Sequence, residues 1–225
     1  MRCDQVLRSR IEANLRGFES VRAEPGPAST GGSARGAAVA ITVVDSSFGP
    51  GVPGLPQYDA WNNDAALVLT RRSPALRNHP GQWALPGGVR DPGEDVETTA
   101  LRELHEEVDL LLERRDVLGL LDDFRTRSGF VITPVVVWAG ADRELTFNPL
   151  EVASIHRIPV SEFLRDDAPL LDPIPESTHP VLRMPVGDTS IAAPTAAMIY
   201  QFREVCILGN ETRVAHFEQP YFAWR

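Results

Sequence analysis

Lysine is absent from this 225-residue sequence, in which all 22 basic residues are arginine. That excludes Schiff-base lysines, a lysine general base and a Walker-type phosphate loop, which needs its Lys. Cysteine is nearly absent, with only Cys3 and Cys206. Two thiols build neither a four-thiolate zinc site nor a dense disulfide framework, and so few fit a reducing compartment. No apolar run approaches the roughly 20 residues of a membrane span. Residues Met1–Phe18 scatter four arginines among single apolar residues, without the apolar segment of a secretion signal. The expectation is a cytoplasmic protein with no membrane partner. Positive charge is in deficit, at a formal net −9, which argues against nucleic acid as a partner. Three motifs are also missing: a Gly-x-Ser-x-Gly elbow, a zincin His-Glu-x-x-His, and a Gly-x-Gly-x-x-Gly opening a helix. Serine hydrolase, zinc protease and dinucleotide-fold readings lose their support accordingly.

What is present is an ordinary globular mixture, 43% hydrophobic and 24% charged, enough for a sizeable core. Val6, Ile11, Leu15 and Phe18 fall at roughly helical spacing, so a short amphipathic helix is expected near the N-terminus. Residues 23–38 are rich in Gly, Ala, Pro and Ser and predict a mobile linker. Strands are expected over Val39–Val44, Ala65–Thr70, Val117–Phe124, Phe130–Trp138 and Val152–Ile158. The proline- and glycine-rich stretches Ser46–Asn63 and Asp166–Pro180 predict loops. Helices are expected over Glu94–Leu111, over Glu162–Arg165 with Ser161 as cap, and over Ala193–Val205 with Pro194 near its start. Strands interspersed with a few helices give an α/β or α+β sandwich. The expected division is 1–36, helix and linker, and 37–225, one domain with a C-terminal helix and tail.

The helix over Glu94–Leu111 carries an unfavourable charge pattern. At about 100° per residue, Glu103, Glu106 and Glu107 share one face, bordering the apolar stripe of Ala100, Leu101, Leu104 and Val108. Glu103 and Glu107 are like charges at i, i+4, a cost of a few tenths of a kcal/mol. All three carboxylates lie in the C-terminal half, where the helix dipole disfavours anions. Such a face is either solvated or bound to a hard cation such as Mg²⁺, which accepts carboxylate and phosphate oxygens together.

The residues before the helix decide between these. Gly88, Glu94, Arg102, Glu103, Leu104, Glu106, Glu107 and Leu110 match, at the required spacing, the signature of the Nudix hydrolases, which this stretch resembles. One position departs: Asp109 stands where the signature has its second Gly. Asp tolerates the left-handed backbone that a helix-ending Gly serves, so the turn is expected to survive. The flanks extend the likeness. Leu69-Thr70, Arg72-Ser73, Leu76-Arg77, His79 and Gly81-Gln82 resemble the coenzyme A diphosphatase subfamily, as do Thr133-Pro134-Val135, Asn148-Pro149 and Glu151-Val152.

The resemblance implies a Nudix α/β/α sandwich with a mixed sheet, the N-terminal helix being an appendage. It implies a metal-dependent hydrolase that cleaves the diphosphate of a nucleoside diphosphate derivative, coenzyme A or a close relative of it. ADP-ribose, NADH and nucleotide sugars are the alternative substrates, and a non-catalytic Nudix-fold binding or regulatory module is the alternative role. Mg²⁺ or Mn²⁺ is the implied cofactor, on Glu103, Glu106, Glu107 and the Gly88 carbonyl. Glu94 and Arg102 are implied to fix the loop against the helix. For the base, Glu106 and Glu151 are the two candidates. The residues add a reading of their own, since Arg71–His79 collects three arginines and a histidine with no acid. Guanidinium forks recognise phosphate, so Arg72, Arg77 and His79 are the expected substrate contacts. The partner is a small-molecule diphosphate, and the aromatic tail from Phe217 to Trp224 leaves room for a homodimer.

Overall fold

The computed structural model describes residues 1–23, 35–76 and 79–220. Of the expected linker, residues 24–34 lie outside them, as do Arg77 and the tail from Tyr221 onward. Residues 35–38 instead open strand β1 (Arg35–Ser47), because Arg35 already pairs with Phe130 of strand β7 (Phe130–Gly140). The β1–β7 pairing is parallel and runs ten registered positions, from Arg35↔Phe130 to Val44↔Gly140. On its other side β1 pairs antiparallel with β2 (Asn62–Arg72), which pairs antiparallel with both β8 (Val152–Pro159) and the two-residue β3 (Trp83–Ala84). Three short strands complete this mixed sheet of eight: β4 (Gly87–Val89) on β1, with β5 (Val117–Leu120) and β6 (Phe124–Arg125) on β7.

Alternation along β1 and β2 builds two cores. Ala38, Ala40, Val44, Ala66 and Val68 face helix α2 (Val96–Val108), packing on Ala100, Leu104 and Val108. Ile41, Val43, Leu67 and Leu69 face the opposite way, towards helices α1 (Gln5–Gly17) and α3 (Thr195–Phe202). Helices thus cover both sheet faces, the expected α/β/α sandwich. Helix α1 is more tightly integrated than an appendage. Its Leu7, Ile11 and Leu15 are buried in the larger core, and Asn14 donates to the Cys206 carbonyl at 3.0 Å.

Several boundaries differ from expectation, each for a local reason. Helix α2 begins at Val96 because Asp95 is its N-cap, accepting from the Thr98 N–H at 2.8 Å. It ends at Val108 because Asp109 is left-handed, at φ 54° and ψ 36°, the turn expected of an Asp in the Gly position. The expected Val117–Phe124 strand divides after Leu120 into β5 and β6, and within β5 the register on β7 slips between Val117 and Gly119. The expected Glu162–Arg165 helix is a 3₁₀ turn over Val160–Leu164. Beyond α3 the chain continues as a π-helical turn, Arg203–Leu208. The largest departure is a second sheet, β9 (Leu170–Asp172), β10 (Val181–Val186) and β11 (Thr189–Ala192), whose first strand lies in a stretch expected to be loop. No helix among the described residues is long and apolar enough to cross a membrane.

Candidate active site

Helix α2 presents Glu103 and Glu107 towards the end of β8, where Glu151 stands just before the strand. Carboxylate oxygens of Glu103, Glu107 and Glu151 lie within 4.8 Å of one another. Three backbone bonds bring about this meeting of residues distant in sequence. The Thr146 and Asn148 N–H groups donate to the Val108 and Glu107 carbonyls (3.3 and 3.1 Å), and the Ser73 N–H donates to the Glu151 carbonyl (2.8 Å). The first two satisfy carbonyls orphaned at the helix end. The third ties Glu151 to the end of β2, next to Arg72.

The approach is close. A side chain at Gly88 would collide with the Glu103 carboxylate, and one at Gly87 with the Ala38 carbonyl, so only glycine lets β4 pass between β1 and α2. Electrostatics are severe at the centre. Burial first, then the Glu103 and Glu151 charges, push the Glu107 carboxyl up to about 8, against the relief from the Arg72 guanidinium and the Gly87 N–H. Burial also raises Glu103, opposed by Arg102. Three carboxylates with too little positive charge among them form a donor set suited to a hard divalent cation. The chemistry of the residues therefore fits the Mg²⁺ or Mn²⁺ expected from the sequence.

Glu106 is held elsewhere. Its Oε2 accepts from Arg102 Nη1 at 2.9 Å, on the solvent side of the helix. Arg102 is the hub of this second arrangement. It donates to Glu94 through Nε and Nη2 (2.9 and 3.2 Å), to Glu103 through Nη1 (2.9 Å), and to the Val89 carbonyl (3.3 Å). Glu94 also accepts from Thr99 Oγ1 at 2.8 Å, and these bonds, Arg102 foremost, hold its carboxyl down at about 2. Of the expected substrate contacts, Arg72 and His79 line one cavity of about 210 Å³, and Arg77 lies outside the described residues.

Sequence reasoning overlooked a neighbouring cavity of about 460 Å³, lined by Arg71, Trp83, Asp172, Arg183 and Ser190 among others. Its walls come from β2, β3 and the second sheet. Its one signal in the sequence is Arg71 itself, a member of the arginine cluster over Arg71–His79.

A NUDIX domain profile matches residues 58–177, more than half of the chain. Among curated relatives, an uncharacterized Nudix hydrolase, NudL, of Photorhabdus laumondii is 46% identical over 99 residues, 44% of this chain and 53% of that protein. Its namesake in Pectobacterium atrosepticum is 44% identical over 97 residues, 43% of this chain and 50% of that protein. The matched region thus spans about half the length of these relatives. A crystal structure of a MutT Nudix hydrolase from Burkholderia pseudomallei superposes with a TM-score of 0.45 at 19% identity, covering 74% of this chain and 96% of that one.

Proposed function

This chain belongs to the Nudix family, and from that premise we propose that it is a metal-dependent hydrolase of organic diphosphates, with coenzyme A or a close derivative as substrate. The observation that carries the reading is the convergence of Glu103, Glu107 and Glu151 within 4.8 Å beside Arg72. A divalent cation held by these carboxylates supplies charge neutralisation of the diphosphate and acidification of water. The chain's own residues do the rest. Arg72 offers a guanidinium fork to non-bridging phosphate oxygens, in a bidentate geometry that suits phosphate. Glu151 or Glu106 takes the proton from the attacking water. Glu106 can serve either as base or as ligand, because an exposed pairing with Arg102 costs little to release. Arg102 and Glu94 lock the loop after Gly88 against α2, which fixes where Glu103 sits. His79 lines the same cavity as Arg72. The coenzyme A preference is supported by the resemblance over Leu69–Gln82 and by the arginines gathered there.

The test is a panel of coenzyme A, dephospho-coenzyme A, ADP-ribose, NADH and a nucleotide sugar, each with Mg²⁺ and with Mn²⁺, products identified by mass spectrometry. The expected products from coenzyme A are adenosine 3′,5′-bisphosphate and 4′-phosphopantetheine. Strong turnover of ADP-ribose with none of coenzyme A would overturn the substrate. Cation binding with no turnover across the panel would make the chain a binding module.

A further inference from the structure

The larger of the two cavities is separate from the carboxylate cluster but continuous with the path leading from it. The smaller cavity starts at Arg72, whose charge acts on Glu107. It shares Gln82, Trp83, Ala193, Pro194 and Thr195 with the larger one, so the two are neighbouring chambers around the Trp83 ring. A substrate whose diphosphate sat at Glu107 and Arg72 would extend one arm past Trp83 into the larger chamber.

That chamber holds charge out of keeping with a protein of net −9. Arg71 is half-buried, lies 3.8 Å over the face of Trp83, and spends one donor on the Gly81 carbonyl at 3.1 Å. No carboxylate partners it among the described residues, and burial alone pulls its pKa down. A desolvated cation without a counter-ion is costly, and an incoming anion removes that cost. The Trp83 ring is itself wedged, with His156 at 4.9 Å on its edge, so it holds the Arg71 guanidinium in place before any ligand arrives. From the second sheet, Arg183 brings another guanidinium. Its Nε pairs with Asp172 Oδ2 at 2.8 Å, and no bond to its terminal nitrogens occurs among the described residues. Two guanidiniums against one carboxylate leave the chamber net positive. Ile174 and Val181 add an apolar wall.

We propose that this chamber is a specificity subsite for the substrate arm remote from the scissile bond, and that Arg71 and Arg183 select arms bearing a second phosphate, as a phosphomonoester. The inference rests on the hydrolase reading for the direction of the arm, and on Arg71, Trp83, Asp172 and Arg183 for the selection. Arg71 and Arg183 lie outside the carboxylate cluster and the Arg102 hub, so their effect is on discrimination.

The experiment compares coenzyme A with dephospho-coenzyme A, which differ by one phosphomonoester. In Arg183→Gln the ratio of their kcat/KM values should fall roughly ten-fold or more, as expected for loss of a charge-assisted contact. The fall should come from KM for coenzyme A. Asp172→Asn should act in the opposite sense, because it removes the carboxylate that competes for Arg183, and should raise the ratio several-fold. A second arm needs no turnover: calorimetric titration of adenosine 3′,5′-bisphosphate and of AMP into the protein without metal. The wild type should prefer the bisphosphate, and Arg183→Gln should erase the preference. An unchanged ratio in Arg183→Gln, or a lowered ratio in Asp172→Asn, would overturn the subsite, as would a wild type that binds both nucleotides equally. If neither substrate is cleaved but the titration preference exists and is lost in Arg183→Gln, the hydrolase reading fails and the subsite stands.

Discussion

At Glu107, burial and two neighbouring carboxylates act together on one proton. The carboxyl is raised from 4.5 to about 8 in the folded chain. A raised folded-state pKa means that the native state holds the proton more tightly than the unfolded state does. The associated stability is full below the unfolded value and is lost as pH rises through about 8. Without metal, the melting temperature should therefore decline between pH 6 and pH 9, and Glu107→Gln, which carries no charge, should flatten that decline. A bound cation competes with the same proton. With saturating Mg²⁺ the wild type should gain more stability at pH 9 than at pH 6, following mass action, and Glu107→Gln should gain little at either pH and lose turnover by orders of magnitude. Thermal melts across pH with Mg²⁺ and with chelator read all of this, and a Glu107→Gln variant as Mg²⁺-responsive and as active as wild type would remove Glu107 from the metal site.

Between elements, Arg102 connects the loop after Gly88 to helix α2. Its guanidinium contacts three carboxylates and the Val89 carbonyl, so it works through the groups it holds. Arg102→Met keeps the stem and removes the fork. The N-cap at Asp95 and the apolar stripe of α2 are untouched, so far-ultraviolet circular dichroism should be unchanged. Glu103 and Glu106 lose the group that orients them, and the half-saturating Mg²⁺ concentration should rise roughly 10- to 100-fold, the scale seen when supports of metal ligands are removed. Saturating Mg²⁺ should restore a large part of kcat, which distinguishes positioning from chemistry. An unaltered Mg²⁺ requirement would make the hub irrelevant to the site.

For the whole molecule, a buried ion pair ties the sheet together far from the carboxylates. Arg157 of β8 donates to Asp45 of β1 at 2.5 Å, with Asp45 fully buried. Asp45 Oδ2 also accepts from Trp61 Nε1 (2.9 Å) and from the Asp142 N–H (2.6 Å), and Arg157 donates to the Arg143 carbonyl. One pair thus joins β1, β8, the loop before β2 and the turn after β7. Arg157→Met would strand the Asp45 charge, at a cost of about 3–5 kcal/mol. Chemical denaturation should show that loss with or without Mg²⁺, since none of Glu103, Glu107 and Glu151 is altered. A loss below about 1 kcal/mol would mean that solvent reaches Asp45 in the variant.

The sequence by itself determined the local features of this protein. The period of α2, its acidic face, the Asp109 turn, the apolar runs of the longer strands of the main sheet and the Arg72–His79 loop all follow from residue order, because each depends on neighbours a few positions apart. Glu151 was legible only through family resemblance. Nothing within its own stretch selects it, and its place follows from the β2–β8 register, in which Val152 opposes Arg72. Tertiary structure alone decided three further things. It set Glu151 beside Glu107, because one helix face offers its carboxylates to whichever strand end packs there. It seated α1 in the main core. It also joined Arg71 to Arg183 across a chamber, through a small sheet whose short, proline-flanked strands carry too little pattern to read. Pairing between segments more than a hundred residues apart is a property of register and packing, and no window of sequence contains it.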